Sequence, residues 1–253
     1  PINFFKPNSI KNILTNKEKN IILKSFGVNT VINIVFNEEM TKISAYDFVK
    51  KILVEKLNVK KIVIGHDFSF GKNKEGNSNT LINLSKEFDF EVEVINEIKI
   101  SEKRISSTYI RELIINGYVD KIRNYLGRNY SLSGKVIHAR KIGRTIGFPT
   151  VNMEIDENML IPKNGIYATK VFINDRKFIG ATNIGFNPTV NGKKLSVETN
   201  ILDFDEDIYG EIIKIEFLER IRDEKKFNGI NELKNQLKKD VDFIRNKYIK
   251  NIF

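Results

Sequence analysis

Apolar and polar positions follow two different rules in the two halves of this chain. Up to about residue 126, strand-like apolar runs alternate with helix-spaced amphipathic stretches. Val31–Phe36, apolar except at Asn33, predicts a strand. Ser44–Leu57 follows, with Ala45, Phe48, Val49, Ile52 and Leu53 on one helical face. Lys61–Ile64 reads as a short buried strand ending at Gly65, Thr80–Phe88 as a helix, and Glu91–Ile95 as a strand. Ser107–Asn116 reads as a helix closing at Gly117, a residue suited to the left-handed position after a helix. Strand–helix alternation of this kind implies a parallel sheet with crossover helices, whose ligands sit at the carboxyl ends of the strands.

From about residue 130 the pattern shortens to alternation with turns. Tyr167–Ile173 turns at Asn174-Asp175 into Lys177–Ala181, and Ser196–Leu202 and Ile212–Phe217 alternate, with Ile213, Ile215 and Phe217 on one face. Short strands punctuated by Gly, Pro and Asn imply an antiparallel barrel. An amphipathic helix closes the chain over roughly 230–248, burying Ile230, Leu233, Leu237, Val241 and Ile244. The expected organisation is therefore an α/β domain over 1–127 and a β-barrel domain with a C-terminal helix over 128–253.

Composition narrows this little but usefully. Of the 253 residues 41% are apolar and 10% aromatic, enough for packed cores. No apolar run approaches the length of a membrane span, and no secretory signal is present in the sequence. Cysteine is absent, which excludes disulfides and thiolate metal sites and agrees with a reducing, cytoplasmic setting. The net charge of +10 comes from lysines interleaved with acids rather than massed in one stripe, so it favours anionic small molecules over nucleic acid. A nucleic-acid-binding or flavin-responsive regulatory barrel is the alternative that this charge keeps open. Oligomeric state is not legible.

Candidate chemistry concentrates at 143–152, Gly-Arg-Thr-Ile-Gly-Phe-Pro-Thr-Val-Asn. Gly143 and Gly147, flanking Arg144 and Thr145, let backbone N–H groups approach phosphate. Pro149 stiffens the turn from which Thr150 and Asn152 project, two neutral oxygen donors suited to Mg²⁺. Glu198, on a later strand, is placed to accept a hydroxyl proton. These are the parts that phosphoryl transfer to a small alcohol requires. Taken singly each has an ordinary reading, a polar turn or a solvated strand carboxylate. Ser133-Gly134-Lys135-Val136 superficially matches a P-loop, but position 129 is Asn and position 136 is Val, which breaks that pattern.

Order and surroundings decide between these readings. Gly143–Asn152, Pro162-Lys-Asn-Gly-Ile-Tyr167, Asn183-Ile-Gly-Phe-Asn-Pro-Thr189, Val197-Glu-Thr-Asn-Ile-Leu-Asp-Phe204, Ile208-Tyr-Gly210 and Phe217–Phe227 together closely resemble riboflavin kinase over residues 130–248. Val151 stands where that family usually has alanine. The resemblance implies a small barrel that moves the ATP γ-phosphoryl group to the 5′-hydroxyl of riboflavin. Thr150 and Asn152 would be on Mg²⁺ and Glu198 the base. Gly143, Arg144, Thr145, Gly147 and Asn183 would border nucleotide phosphates, and Arg220, Arg222 and Phe227 the flavin.

Gly65-His-Asp-Phe-Ser-Phe-Gly71 and Ile105-Ser-Ser-Thr-Tyr-Ile-Arg111 are similar to the FMN adenylyltransferase module of bacterial bifunctional riboflavin kinase/FAD synthetases. There Ser106 or Ser107 would cap a helix whose first turn, with Thr108 and Arg111, forms an anion site for triphosphate, and Asp67 would lie near flavin. His66 reads as an ordinary loop histidine. That module places a His-x-Gly-His signature ahead of these motifs, whereas the only histidines here are His66 and His138. FAD formation by this sequence is accordingly expected to be weak or absent.

Overall fold

The computed structural model describes residues 2–7, 9–138, 142–189 and 192–249. The chain folds as two compact units, residues 1–10 with 16–105, and residues 11–15 with 106–253.

The first unit holds α1 (Ile2–Phe5), α2 (Asn16–Ser25), α3 (Glu38–Lys42) and α4 (Ala45–Asp47), the last running on as a π-helical stretch over Phe48–Val54. β1 (Lys61–Gly65), α5 (Ser78–Phe88) and β2 (Glu91–Ile95) form a strand–helix–strand unit, with β1 and β2 parallel in the register Lys61↔Glu91 to Gly65↔Ile95. A small β3–β4 pair follows (Lys99–Ile100 and Lys103–Arg104). A reciprocal cap starts α5, since Asn77 accepts from Thr80 N–H while the Thr80 side chain returns a bond to Asn77 N–H. Ala45, Val49, Ile64, Phe70, Leu81 and Phe90 make the core.

Two expectations fail in this unit. β1, expected to be buried, exposes Val63 at 58% and buries only Ile64. Val31–Phe36 is not a strand, and Ile32, Ile34 and Val35 are exposed, Val35 at 78%. A run becomes a strand only when a neighbour takes its backbone hydrogen bonds, and among the described strands β1 and β2 pair with each other alone, their outer edges not used by this segment.

The second unit opens with α6 (Ser107–Ile115) and α7 (Val119–Leu126), which pack on the barrel core through Ile110, Leu113, Ile114, Val119 and Ile122. Compactness therefore divides the chain at 105/106, ahead of the change in hydrophobic pattern near 127. The strands are β5 (Ser131–Ile137), β6 (Val151–Ile155), β7 (Gly165–Ile173), β8 (Arg176–Thr189), β9 (Gly192–Ile201) and β10 (Ile212–Arg222), with α8 (Ile142–Thr145) between β5 and β6. They close a barrel in the order β10-β5-β6-β9-β8-β7, every neighbour antiparallel. The fold class read from the sequence is thus present: a parallel pair with its crossover helix, then an antiparallel barrel.

Val136, Met153, Val171, Ile184, Val197, Ile213 and Phe217 belong to the barrel core. Thr169, Thr182 and Thr199 are also fully buried. Their hydroxyls bond in series at 2.8 and 2.9 Å, and Thr169 bonds to the Gly180 carbonyl at 3.2 Å, so each of the three buried hydroxyls is satisfied. The last helix, α9 (Ile230–Ile244), lies on the opposite face of the strands, where Val241 and Ile244 meet Ala168, Ile179, Ala181 and Leu202.

Candidate active site

Strand register assembles the site. Glu198 on β9 is directly opposite Asn152 on β6 and Asn183 on β8, so the three side chains share one face. Thr182 and Thr199, one residue along, point inward; the Asn152–Glu198–Asn183 row therefore faces out, on the side that α9 covers. Asn152 is only 8% exposed.

The loop ahead of β6 is folded onto this row. Phe148 N–H donates to the Gly143 carbonyl at 2.9 Å, and Asn200 Nδ2 donates to the Pro149 carbonyl at 2.6 Å. Gly147 has φ +86°, open to glycine at little cost. Gly143 is tighter. A Cβ there would stand 2.3 Å from the Phe148 carbonyl oxygen, too close for any side chain, and 3.4 Å from Thr150 Oγ1, so the loop closes this tightly only on a glycine.

Two cavities flank the loop. One, of about 300 Å³, lies between the outward row and α9 and is lined by Gly143, Thr150, Asn183 and Glu198 on one side and Phe227, Leu237 and Val241 on the other. The second, of about 330 Å³, is lined by Val136, Val151, Ile201, Phe204 and Tyr209, with Asp205, Glu206 and Asp207 at its rim. Thr150 lines both. Both volumes are at the lower end of the usual range for small-molecule sites.

The structure brings some of the expected residues to the cavities and leaves others off both linings, Asn152 among them. Gly143, Thr150, Asn183, Glu198, Arg222 and Phe227 border the first cavity. Thr145 and Gly147 lie on the loop but line neither cavity, and the Arg144 side chain falls outside the described residues.

Arg220 is a correction. A register shift between Arg220 and Arg222 sets them opposite Tyr167 and Ile166, adjacent residues on opposite faces, so only Arg222 reaches the cavity. Arg220 instead bonds the Asn164 carbonyl and the Asp223 carboxylate. Beside it, burial pushes the Tyr167 hydroxyl up to about 12. Asp67 belongs to the first unit, where Arg104 pairs with it and holds its carboxyl below the usual range.

At the start of α6, Ser106 Oγ accepts from Tyr109 N–H at 3.2 Å, Ser107 and Thr108 are exposed, and Arg111 Nε donates to the Lys11 carbonyl at 3.1 Å.

Asp240 was not anticipated. It is 4% exposed and takes both Nε (3.0 and 3.1 Å) and Nη2 (2.7 Å) of Arg222, with Gln236 Nε2 at 2.9 Å. The signal was present: an acid interrupting the apolar stripe Leu233–Leu237–Val241–Ile244. The second cavity, built from a loop between β9 and β10, had no comparable sign.

Known proteins resemble the chain along nearly its whole length. A riboflavin kinase family model matches residues 126–248, and a FAD synthetase model matches residues 1–109. A bifunctional riboflavin kinase/FMN adenylyltransferase from Buchnera aphidicola is 36% identical over 97% of this chain and 80% of its own length; one from Haemophilus influenzae is 38% identical over 94% and 78%. The chain belongs to the bifunctional riboflavin kinase/FMN adenylyltransferase family. A crystal structure described as a macrolide-efflux protein from Streptococcus pneumoniae shares the fold, with a TM-score of 0.87, 34% identity, and coverage of 95% of this chain and 77% of that one. No described helix here is long and apolar enough to cross a membrane. Both cavities fall within the stretch that matches the riboflavin kinase model.

Proposed function

We propose that the barrel unit transfers the γ-phosphoryl group of ATP to the 5′-hydroxyl of riboflavin, giving FMN, with FMN adenylylation as the family's second activity. The observation that carries the assignment of substrates is Thr150, which borders both cavities: two substrates that exchange a phosphoryl group must meet at a shared wall. Riboflavin occupies the α9-covered cavity. Its tricyclic ring meets Ile146, Phe148, Phe227, Leu237 and Val241, and its polyol chain meets the Asn183–Glu198 row. The adenine base occupies the second cavity among Val136, Ile201, Phe204 and Tyr209.

Glu198 takes the proton of the 5′-hydroxyl as its oxygen bonds to the γ-phosphorus and the bond to the ADP oxygen breaks. Asn152 and Asn183 flank that carboxylate in register and orient it. The Gly143–Gly147 backbone approaches the phosphates. Thr150 and Asn152 fit Mg²⁺, because a hard cation bound chiefly through phosphates needs only a few oxygen donors from the protein, and Thr150 borders both cavities. When bound, Mg²⁺ neutralises charge on the phosphates.

Incubation with riboflavin, ATP and Mg²⁺, followed by separation of riboflavin, FMN and FAD, tests the assignment; failure to form FMN refutes it. Thr150→Ala and Asn152→Ala are each expected to raise KM for Mg·ATP about tenfold or more and to weaken riboflavin binding much less, read by kinetics and by riboflavin titration with and without Mg²⁺. Gly143→Ala is expected to lower kcat/KM for ATP by a similar or larger factor, roughly tenfold upward, since its Cβ meets rigid backbone at Phe148. Wild-type kinetics would show that the loop gives way without cost.

A further inference from the structure

Besides Glu198, and Asp240 which is taken up by Arg222, the flavin cavity holds a third carboxylate. Glu224, on the segment after β10, is among its lining residues. Its Oε2 accepts from Asn164 Nδ2 at 3.0 Å. Its Oε1 lies over Gly185 of β8, so that a Cβ on that glycine would stand 2.1 Å from it and 3.5 Å from Asn183 Nδ2. Gly185 and Asn183 are two residues apart on one strand, and that Cβ would project from the face that carries Asn183 and Glu198. The glycine vacates a side chain's place, and the Glu224 carboxylate fills it beside the Asn183–Glu198 pair.

We propose that Glu224 is a specificity-determining residue that reads the secondary hydroxyls of the substrate's polyol chain, an inference that rests on the riboflavin kinase reading of this cavity. Each of those hydroxyls is a donor, and an ionised carboxylate is a pure acceptor with about four lone-pair sites, of which Asn164 takes one. Bonds to a charged acceptor are roughly twice as strong as neutral ones. The two carboxylates then divide the work. Glu198 handles the terminal hydroxyl that reacts; Glu224 holds the hydroxyls that do not. A site built to bond hydroxyls rejects analogues that lack them, because its polar groups are left unpaired.

The test compares riboflavin with a flavin carrying an unbranched 5-hydroxypentyl chain on N10, which keeps the terminal hydroxyl and lacks the secondary ones. The parent protein is expected to prefer riboflavin. Glu224→Gln should lower kcat/KM for riboflavin by about tenfold or more while turnover of the analogue changes little. Gly185→Ala keeps the charge but displaces the carboxylate, and should produce the same selective loss. Its Cβ meets the far end of a flexible side chain, so the fold survives. Equal losses on both substrates would mean that Glu224 only braces its loop through Asn164, and would overturn the inference. So would variants with unchanged selectivity. A parent protein that forms no FMN would overturn the kinase reading and this inference with it.

Discussion

Replacing Glu198 with glutamine is expected to cut FMN formation by roughly 10²–10⁴-fold, the contribution of a positioned general base, or about 3 to 5 kcal/mol of barrier. The substitution is nearly isosteric. Glutamine remains in register between Asn152 and Asn183, so the row and the cavity wall keep their shape. The apolar contacts that hold the ring are untouched, and riboflavin and nucleotide affinities should be close to those of the parent. Single-turnover phosphoryl transfer and a riboflavin fluorescence titration separate the two effects. Turnover retained at the parent level would refute Glu198 as the base and direct attention to Glu224, the cavity carboxylate that is not taken up by Arg222.

Asp240→Ala is expected to destabilise the barrel unit by about 3 to 5 kcal/mol, because it leaves the Arg222 guanidinium unpaired in a largely desolvated position. Asp240 is 4% exposed and accepts from Arg222 and Gln236 together, so three hydrogen-bonding arms lose their acceptor at once. For a unit of this size that corresponds to a fall in melting temperature on the order of 10 °C, readable by calorimetry. Replacing both partners, Arg222→Met with Asp240→Leu, should recover most of the loss, since an apolar pair needs no compensation for desolvation. Riboflavin affinity should fall in the single variant as well, because Asp240 and Arg222 both line the cavity. A melting temperature unchanged in Asp240→Ala would show that water reaches and satisfies Arg222.

Local rules carried much of the fold. Alternation at Ile213, Ile215 and Phe217 marked a strand whose inward face is fully buried, and the Leu233–Leu237–Val241–Ile244 stripe marked the helix that covers the barrel, although Ile230, expected on the same stripe, is 67% exposed at the first turn. Asn174-Asp175 marked the β7–β8 turn, where Asn174 adopts φ +51°. Val31–Phe36 escaped the same rules because an apolar run broken only at Asn33 has no clear periodicity to test; what such a run becomes depends on whether a neighbouring strand takes its backbone hydrogen bonds. The helices α6 and α7 carry helical periodicity, but nothing in it states that their apolar faces belong to the barrel core rather than to the α/β unit.

The candidate site divides along the same line. By itself the sequence determined which residue types serve phosphoryl transfer and in what order they occur, because loop glycines, Pro149 and the Thr150/Asn152 pair act over a few bonds. Only the tertiary structure decided which of them meet. Barrel closure set Glu198 opposite residues 46 and 15 positions away in the chain, a register that no local pattern encodes. One shifted residue in β10 sent Arg222 to the cavity and Arg220 away from it, and α9 brought a buried acid to meet Arg222. Short-range steric and hydrogen-bonding preferences are written residue by residue; the pairing of distant strands, and the bulge that turns a side chain from one face to the other, are settled only when the barrel closes.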